Sequence, residues 1–241
     1  MQFNGNHKRF RSAFSCLRYL RPCSLHSFAL ALLVLLPLGF GNANAAPPSG
    51  ASSVHVYMLR GVLNIFSLGL DDIAAQLEQK GIPVTIANYL SWSYLADEAA
   101  AEYKSGKIRT IILVGHSSGA TALPDMVARL DRRGAPVKLA IGLDSVFRTS
   151  LEGHVGRYIN YYIANGSGEP VNKTSRLHGA LENVDVQKIP GVGHLTIDKN
   201  KVMQQRVINA IDAAIYSRSK SAISPKESAR PEMQAGAANK N

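Results

Sequence analysis

Arg109-Thr110-Ile111-Ile112-Leu113-Val114 runs directly into Gly115-His116-Ser117-Ser118-Gly119, and a helical pattern opens at Ala120. The first segment ends in a nearly unbroken apolar run, the composition of a strand buried on both faces of a parallel sheet. The second matches G-x-S-x-G, a pattern that gains weight from lying between a strand and a helix. At such a junction the chain turns sharply. Glycines at 115 and 119 let the flanking backbones approach, while Ser117 takes an unusual backbone conformation that lifts its hydroxyl above the sheet edge. The helix that follows brings backbone N–H groups and a positive dipole end near that oxygen. The plainer alternative is a glycine-rich turn whose serine caps the helix.

Strand and helix patterns alternate on both sides of this turn. Val54–Leu59 is a short β-branched and aromatic strand ending at Arg60-Gly61. Asp71 and Asp72 open a helix with Phe66, Leu70, Ile73 and Leu77 on one face, and Gly81 stops it. Ile82–Asn88 reads as the second strand and Tyr94–Lys104 as the second helix. After the turn, Ala120–Arg133 reads as a helix, with Pro124 expected in its first turn. Val137–Leu143, Tyr158–Ala164 and Val184–Ile189 read as further strands, and Val202–Tyr216 as a closing amphipathic helix. Ser145–Arg157 and Asn165–Asn183 are expected to be loops. This alternation predicts a three-layer α/β/α sandwich around a mostly parallel sheet of about six strands, without a cap domain.

The ends of the chain are of another kind. Lys8, Arg9, Arg11, Arg18 and Arg21 precede an apolar run, Phe28–Phe40, and then Ala43-Asn44-Ala45. Basic, apolar, then small-x-small is the order of a secretory signal peptide, so residues 1–45 are expected to be cleaved after Ala45 and the product exported to the periplasm or secreted. The run is too short to span a ~30 Å hydrocarbon core. Residues 46–53 read as a flexible linker, 54–216 as the folded domain and 217–241 as a disordered basic tail. The formal net charge of +10 resides mostly in the two ends. It is therefore weak evidence for nucleic-acid binding, and no nucleic-acid partner is expected. Both cysteines, Cys16 and Cys23, lie in the expected signal, which excludes thiolate metal sites from the domain. Asn165 and Asn172 stand in glycosylation-type sequons.

A serine hydroxyl needs a base, and the base needs an acid to fix its tautomer. His194 lies in Gly191-Val192-Gly193-His194-Leu195, after the last expected strand and before the last helix. That location puts it at the carboxyl edge of a parallel sheet, with Ser117. His55 is expected to pack inside the first strand, His116 to point away from the Ser117 proton, and His154 and His178 to lie in loops. Asp144 follows Val137–Leu143 directly and is the first candidate acid; Glu169 is the alternative. Asp198 is expected to cap the last helix.

With the turn at Gly115–Gly119, the chain order Ser117, Asp144, His194 and the terminal strand–His–helix segment, the sequence resembles the α/β-hydrolase superfamily of esterases, lipases and thioesterases across roughly Val54–Tyr216. The Gly142-Leu143-Asp144 setting is similar to that of pancreatic-type lipases, whereas Glu169 would stand at the commoner position for the acid. The resemblance implies hydrolysis of a carboxylic ester or thioester through an acyl-enzyme. Oxyanion donors would come from the Ser118 N–H and from Gly61 or Val62, and Arg60 stands where a His is frequent. No metal or organic cofactor is implied, and the partner would be a small-molecule or lipid ester. Val62, Leu63, Ile65 and Phe66 would form an acyl pocket or pack on the sheet. Two other functions fit the same residues: acyl transfer to an alcohol, and a catalytically silent envelope protein that binds a lipid or glycan.

Overall fold

The computed structural model describes residues 53–216. The expected signal peptide, the tail and all of the linker except Ser53 lie outside the described residues. Six strands form one sheet, ordered β2-β1-β3-β4-β5-β6, and every neighbouring pair is parallel. They are β1 (Val54–Arg60), β2 (Val84–Asn88), β3 (Thr110–His116), β4 (Val137–Leu143), β5 (Ser150–Tyr162) and β6 (Asn172–Asp185). The helices are α1 (Gly69–Glu78), α2 (Trp92–Lys104), α3 (Ser118–Arg132) and α4 (Lys201–Tyr216). Among the described residues, no helix is long and apolar enough to cross a membrane.

Side-chain alternation in the central strands divides the core into two layers. Val54, Val56 and Met58 of β1, with Ile112 and Val114 of β3, pack against α1 and α4. Tyr57 and Leu59, with Ile111 and Leu113, pack against α2 and α3 on the other face. Successive residues of a strand point to opposite faces, so a strand that is apolar at every position needs cover on both. Each such side chain contributes roughly 1.5–3 kcal/mol by leaving water. The result is the three-layer α/β/α sandwich that the sequence predicts.

The two expected loops are instead largely strand. Leaving β4, the Asp144 N–H donates to the Tyr161 carbonyl at 2.7 Å, beside the far end of β5. To enter β5 parallel to β4, the chain must first travel back along the sheet. Residues 145–153 make that return against α3, the last four of them as strand. The Ser145 hydroxyl bonds Thr121 in the first turns of α3, and Gly153 abuts Asp131 near its end. Nine residues, which can span up to ~3.3 Å each, suffice to pass a helix of this length. The chain then bends at Gly153, at φ +86, and enters the sheet. Residues 171–177 repeat the course beside it, with a second bend at Gly179, at φ +146. Leu151, Val171 and Leu177 point into the α2–α3 core layer from these return legs. Extended backbone thus does the work of crossover helices.

Smaller departures have local causes. Phe66 lies in a 3-10 turn, Ile65–Ser67, ahead of α1 and is partly exposed, so it is not on the buried face of that helix. Because α3 already begins at Ser118, Pro124 falls in its second turn, not its first. His154 and His178 are strand residues of β5 and β6, with stacked rings 4.4 Å apart. Asp198 does not cap α4. Its Oδ2 accepts from the Gly69 N–H at 2.8 Å, at the start of α1. Asn200 caps α4, accepting from the Val202 and Met203 N–H groups.

Candidate active site

The chain passes from β1 out to β2 on one side, and returns to β3 on the other side of β1. The loops leaving β1 and β3 therefore diverge, opening a crevice at the carboxyl ends of the strands. Ser117 stands at this point, after β3, with φ 58 and ψ −123. The conformation is strained for any residue with a Cβ. Packing enforces it: a Cβ on Gly115 would lie 2.6 Å from the Gly119 backbone, and one on Gly119 would lie 2.0 Å from the Leu59 carbonyl oxygen. Both positions require the absence of a side chain.

The His194 segment, between β6 and α4, reaches the same edge. Ser117 Oγ lies 3.0 Å from His194 Nε2, and His194 Nδ1 lies 2.6 Å from Asp144 Oδ2. A carboxylate only accepts, so Nδ1–H donates to Asp144. Nε2 of the neutral ring is then left to accept the Ser117 proton. Asp144 is fully buried, also at positive φ (53), and its Oδ1 accepts the Ile163 N–H at 3.0 Å. Gly168 makes room for it; a Cβ there would fall 1.8 Å from Oδ1. Glu169 is not at the site. It pairs with Arg148 at 3.0 Å on the surface, and the neighbour of His194 is Asp144. The fold is of the α/β-hydrolase type.

No protein-family description matches the chain, and no curated protein matches it. Solved structures similar to this α/β-hydrolase fold include two of RedJ, a thioesterase from the prodiginine biosynthetic pathway in Streptomyces coelicolor. One, with a PEG molecule in its active site, is 12% identical with a TM-score of 0.40, covering 70% of this chain and 92% of that one. The other is 12% identical with a TM-score of 0.38, covering 79% and 97%. A Xanthomonas campestris pv. campestris protein described as a hydrolase of the α/β superfamily is 11% identical with a TM-score of 0.36, covering 69% and 98%.

Of the expected oxyanion donors, the structure separates two. The Gly61 N–H is held by Ser67 Oγ at 3.0 Å, a buried bond that takes it out of use. Val62 N–H has no partner among the described residues, and Ser118 N–H belongs to the unpaired first turn of α3. Arg60 is tied back to Asp71 of α1. Beside Ser117 and His194 a cavity of about 210 Å³ is lined by Val62, Leu63, Phe66 and Leu195. Ile65 is exposed outside it. A larger cavity, about 570 Å³, is at the opposite end of the strands, beside Val54, Thr110 and Val137, remote from Ser117.

His116 does not reach the Ser117 proton, but it has another place that its sequence position did not signal. Fully buried, it bonds Ser67 Oγ through Nδ1 and the His194 carbonyl through Nε2, each at 2.8 Å. Burial holds its pKa below the ordinary value, with Asp198 and the His194 carbonyl acting against that. Asp198, also buried, is pushed the other way, to a higher pKa, by its own loss of solvent.

Proposed function

We propose that the protein is a serine hydrolase that cleaves a carboxylic ester or thioester, with Ser117 as nucleophile, His194 as base and Asp144 as acid. The observation that carries this is the unbroken chain from Ser117 Oγ to His194 to the buried Asp144 carboxylate, presented by a strained turn at the crevice. In this reading His194 Nε2 takes the hydroxyl proton as Oγ bonds the acyl carbon. The imidazolium is stabilised by Asp144 and then protonates the leaving alcohol or thiol. Water, activated by the same ring, releases the acid and restores Ser117. The N–H groups of Ser118 and Val62 hold the oxyanion, each such donor being worth about 3–4 kcal/mol in the transition state. The reading extends to export through the amino-terminal segment 1–45.

The space beside Ser117 is smaller than the ~300–1,000 Å³ usual for drug-sized ligands. Short acyl groups fit it; longer ones would project over exposed Leu63 and Leu195. A fluorophosphonate probe is expected to label the protein, and Ser117→Ala to abolish labelling. With nitrophenyl esters, kcat/KM should be highest for short acyl chains and should vanish in His194→Ala. Labelling that survives Ser117→Ala would sink the assignment. Failure of every chain length to turn over would favour the silent binder.

A further inference from the structure

We infer that His116 and Ser67 are positioning residues that lock the loop 61–69, which carries the Val62 N–H, to the loop 193–199, which carries the base. The inference rests on the nucleophile reading above and adds two residues to it. Four groups form one directed chain. The Gly61 N–H donates to Ser67 Oγ, the Ser67 hydroxyl donates to His116 Nδ1, and His116 Nε2–H donates to the His194 carbonyl. The directions are fixed at both ends: the backbone N–H of Gly61 can only donate, and the carbonyl of His194 can only accept. A neutral His116 with its proton on Nε2 satisfies every member.

Each bond acts on a group next to one that reacts. Gly61 N–H shares its residue with the peptide whose other end is the Val62 N–H, so anchoring the first orients the second. The His194 carbonyl belongs to the residue whose ring serves as base, so anchoring it limits the ring's travel. His116 itself precedes Ser117 in the chain, and its ring centroid is 5.4 Å from that of His194. The two loops also touch where Gly69 meets Asp198. The Asp198 carboxylate accepts from the Gly69 N–H, and a Cβ at Gly69 would lie 2.2 Å from the Asp198 carbonyl oxygen. Gln204 donates to the carbonyls of both residues. His116 is thus the link between this clamp and the strained turn. A buried histidine that served only to satisfy core polar groups would affect stability and leave turnover alone.

The test uses the full chain and three variants. His116→Asn keeps an acceptor near the Nδ1 position and loses the contact with the His194 carbonyl. His116→Gln keeps a donor near the Nε2 position and loses Ser67. Ser67→Ala cuts the chain at its centre. Each is expected to slow both fluorophosphonate labelling of Ser117 and kcat by about ten- to a hundredfold, the scale of loss that a misplacement of about 1 Å causes. KM should stay within about twofold, because the loss falls on the transition state. Leu130→Ala, buried at the end of α3 remote from Ser117, supplies a control that lowers Tm without slowing labelling or kcat. Wild-type labelling rates and kcat in the three variants would overturn the inference and leave Ser117 as nucleophile. A wild-type chain that takes up no probe would overturn the nucleophile reading itself. Should the His116 variants fail to fold, Ser67→Ala, which removes one hydroxyl, decides the question alone.

Discussion

Ser117 and Asp144 both hold positive φ with a side chain attached, at 58° and 53°. Backbone strain of this kind costs about 1–3 kcal/mol a residue and persists only where the surroundings impose it. At Asp144 three contacts do so: the Tyr161 carbonyl on its N–H, the Ile163 N–H on Oδ1 and the His194 ring on Oδ2. A carboxylate that is buried, hydrogen-bonded twice and adjacent to an imidazole is suited to stabilise the imidazolium that forms during proton transfer. Asp144→Asn keeps the shape but offers the ring either a donor or a neutral acceptor. We expect kcat to fall by about 10⁴-fold, as loss of the acid does in such triads. Glu169→Gln should leave it within about twofold, since that side chain faces Arg148. The pair of kcat measurements discriminates between the two acids. Equal losses would mean that Asp144 is not the acid of the proposed triad.

The elements near the Gly115–Gly119 turn were legible because their physics is local. An apolar run needs cover on both faces, a glycine pair permits a tight turn, and four-residue spacing marks the buried face of α4. Val137–Leu143 is a strand with the same ends that its composition predicts. The return legs before the bends in β5 and β6 were not legible. Their exposed positions carry Arg148, Lys173 and Arg176, Glu152 is half-buried, and only Leu151, Val171 and Leu177 mark an apolar buried side, too sparse a pattern for a strand signal. The link from Ser67 to His194 escaped for a related reason: it joins positions far apart in sequence through bonds that no spacing encodes. Gly179 offers a test of the bends. A Cβ there would stand 1.6 Å from the Val155 carbonyl oxygen, in addition to the unfavourable φ; Gly134, at φ +70, has open space around it. Gly179→Ala should therefore lower Tm by more than Gly134→Ala, which pays only the dihedral cost of about 1–2 kcal/mol, or several degrees in a domain of this size. Equal shifts in thermal melts would show that β5 and β6 do not need the close approach at their bend.

Across the whole molecule, chemistry is gathered at the carboxyl edge, while the interior beneath it holds titratable groups that tie stability to pH. His116 and His55 both have pKa values below 6.5, lowered first by burial, with Asp198 opposing the shift at His116 and Glu102 opposing it at His55. The unfolded chain takes up these protons near 6.5; the folded chain takes them up only at lower pH. Below 6.5 the unfolded state thus binds more protons, and stability falls as pH falls. This contribution is intact above the unfolded value. Asp198 has the opposite sign. Its folded pKa is above 3.8, so its share is full below that value and is lost as pH rises through the folded one. The two imidazole contributions begin to be lost at about pH 6.5, so Tm should decline from there downward, within the range where histidine titrates. His116→Gln removes one of the two and should make that decline shallower, whatever it does to Tm at neutral pH. Thermal melts from about pH 5 to about pH 8 measure both slopes. Identical slopes in wild type and His116→Gln would mean that His116 takes up its proton as readily in the folded protein as in the unfolded chain, and would overturn the lowered pKa that its burial implies.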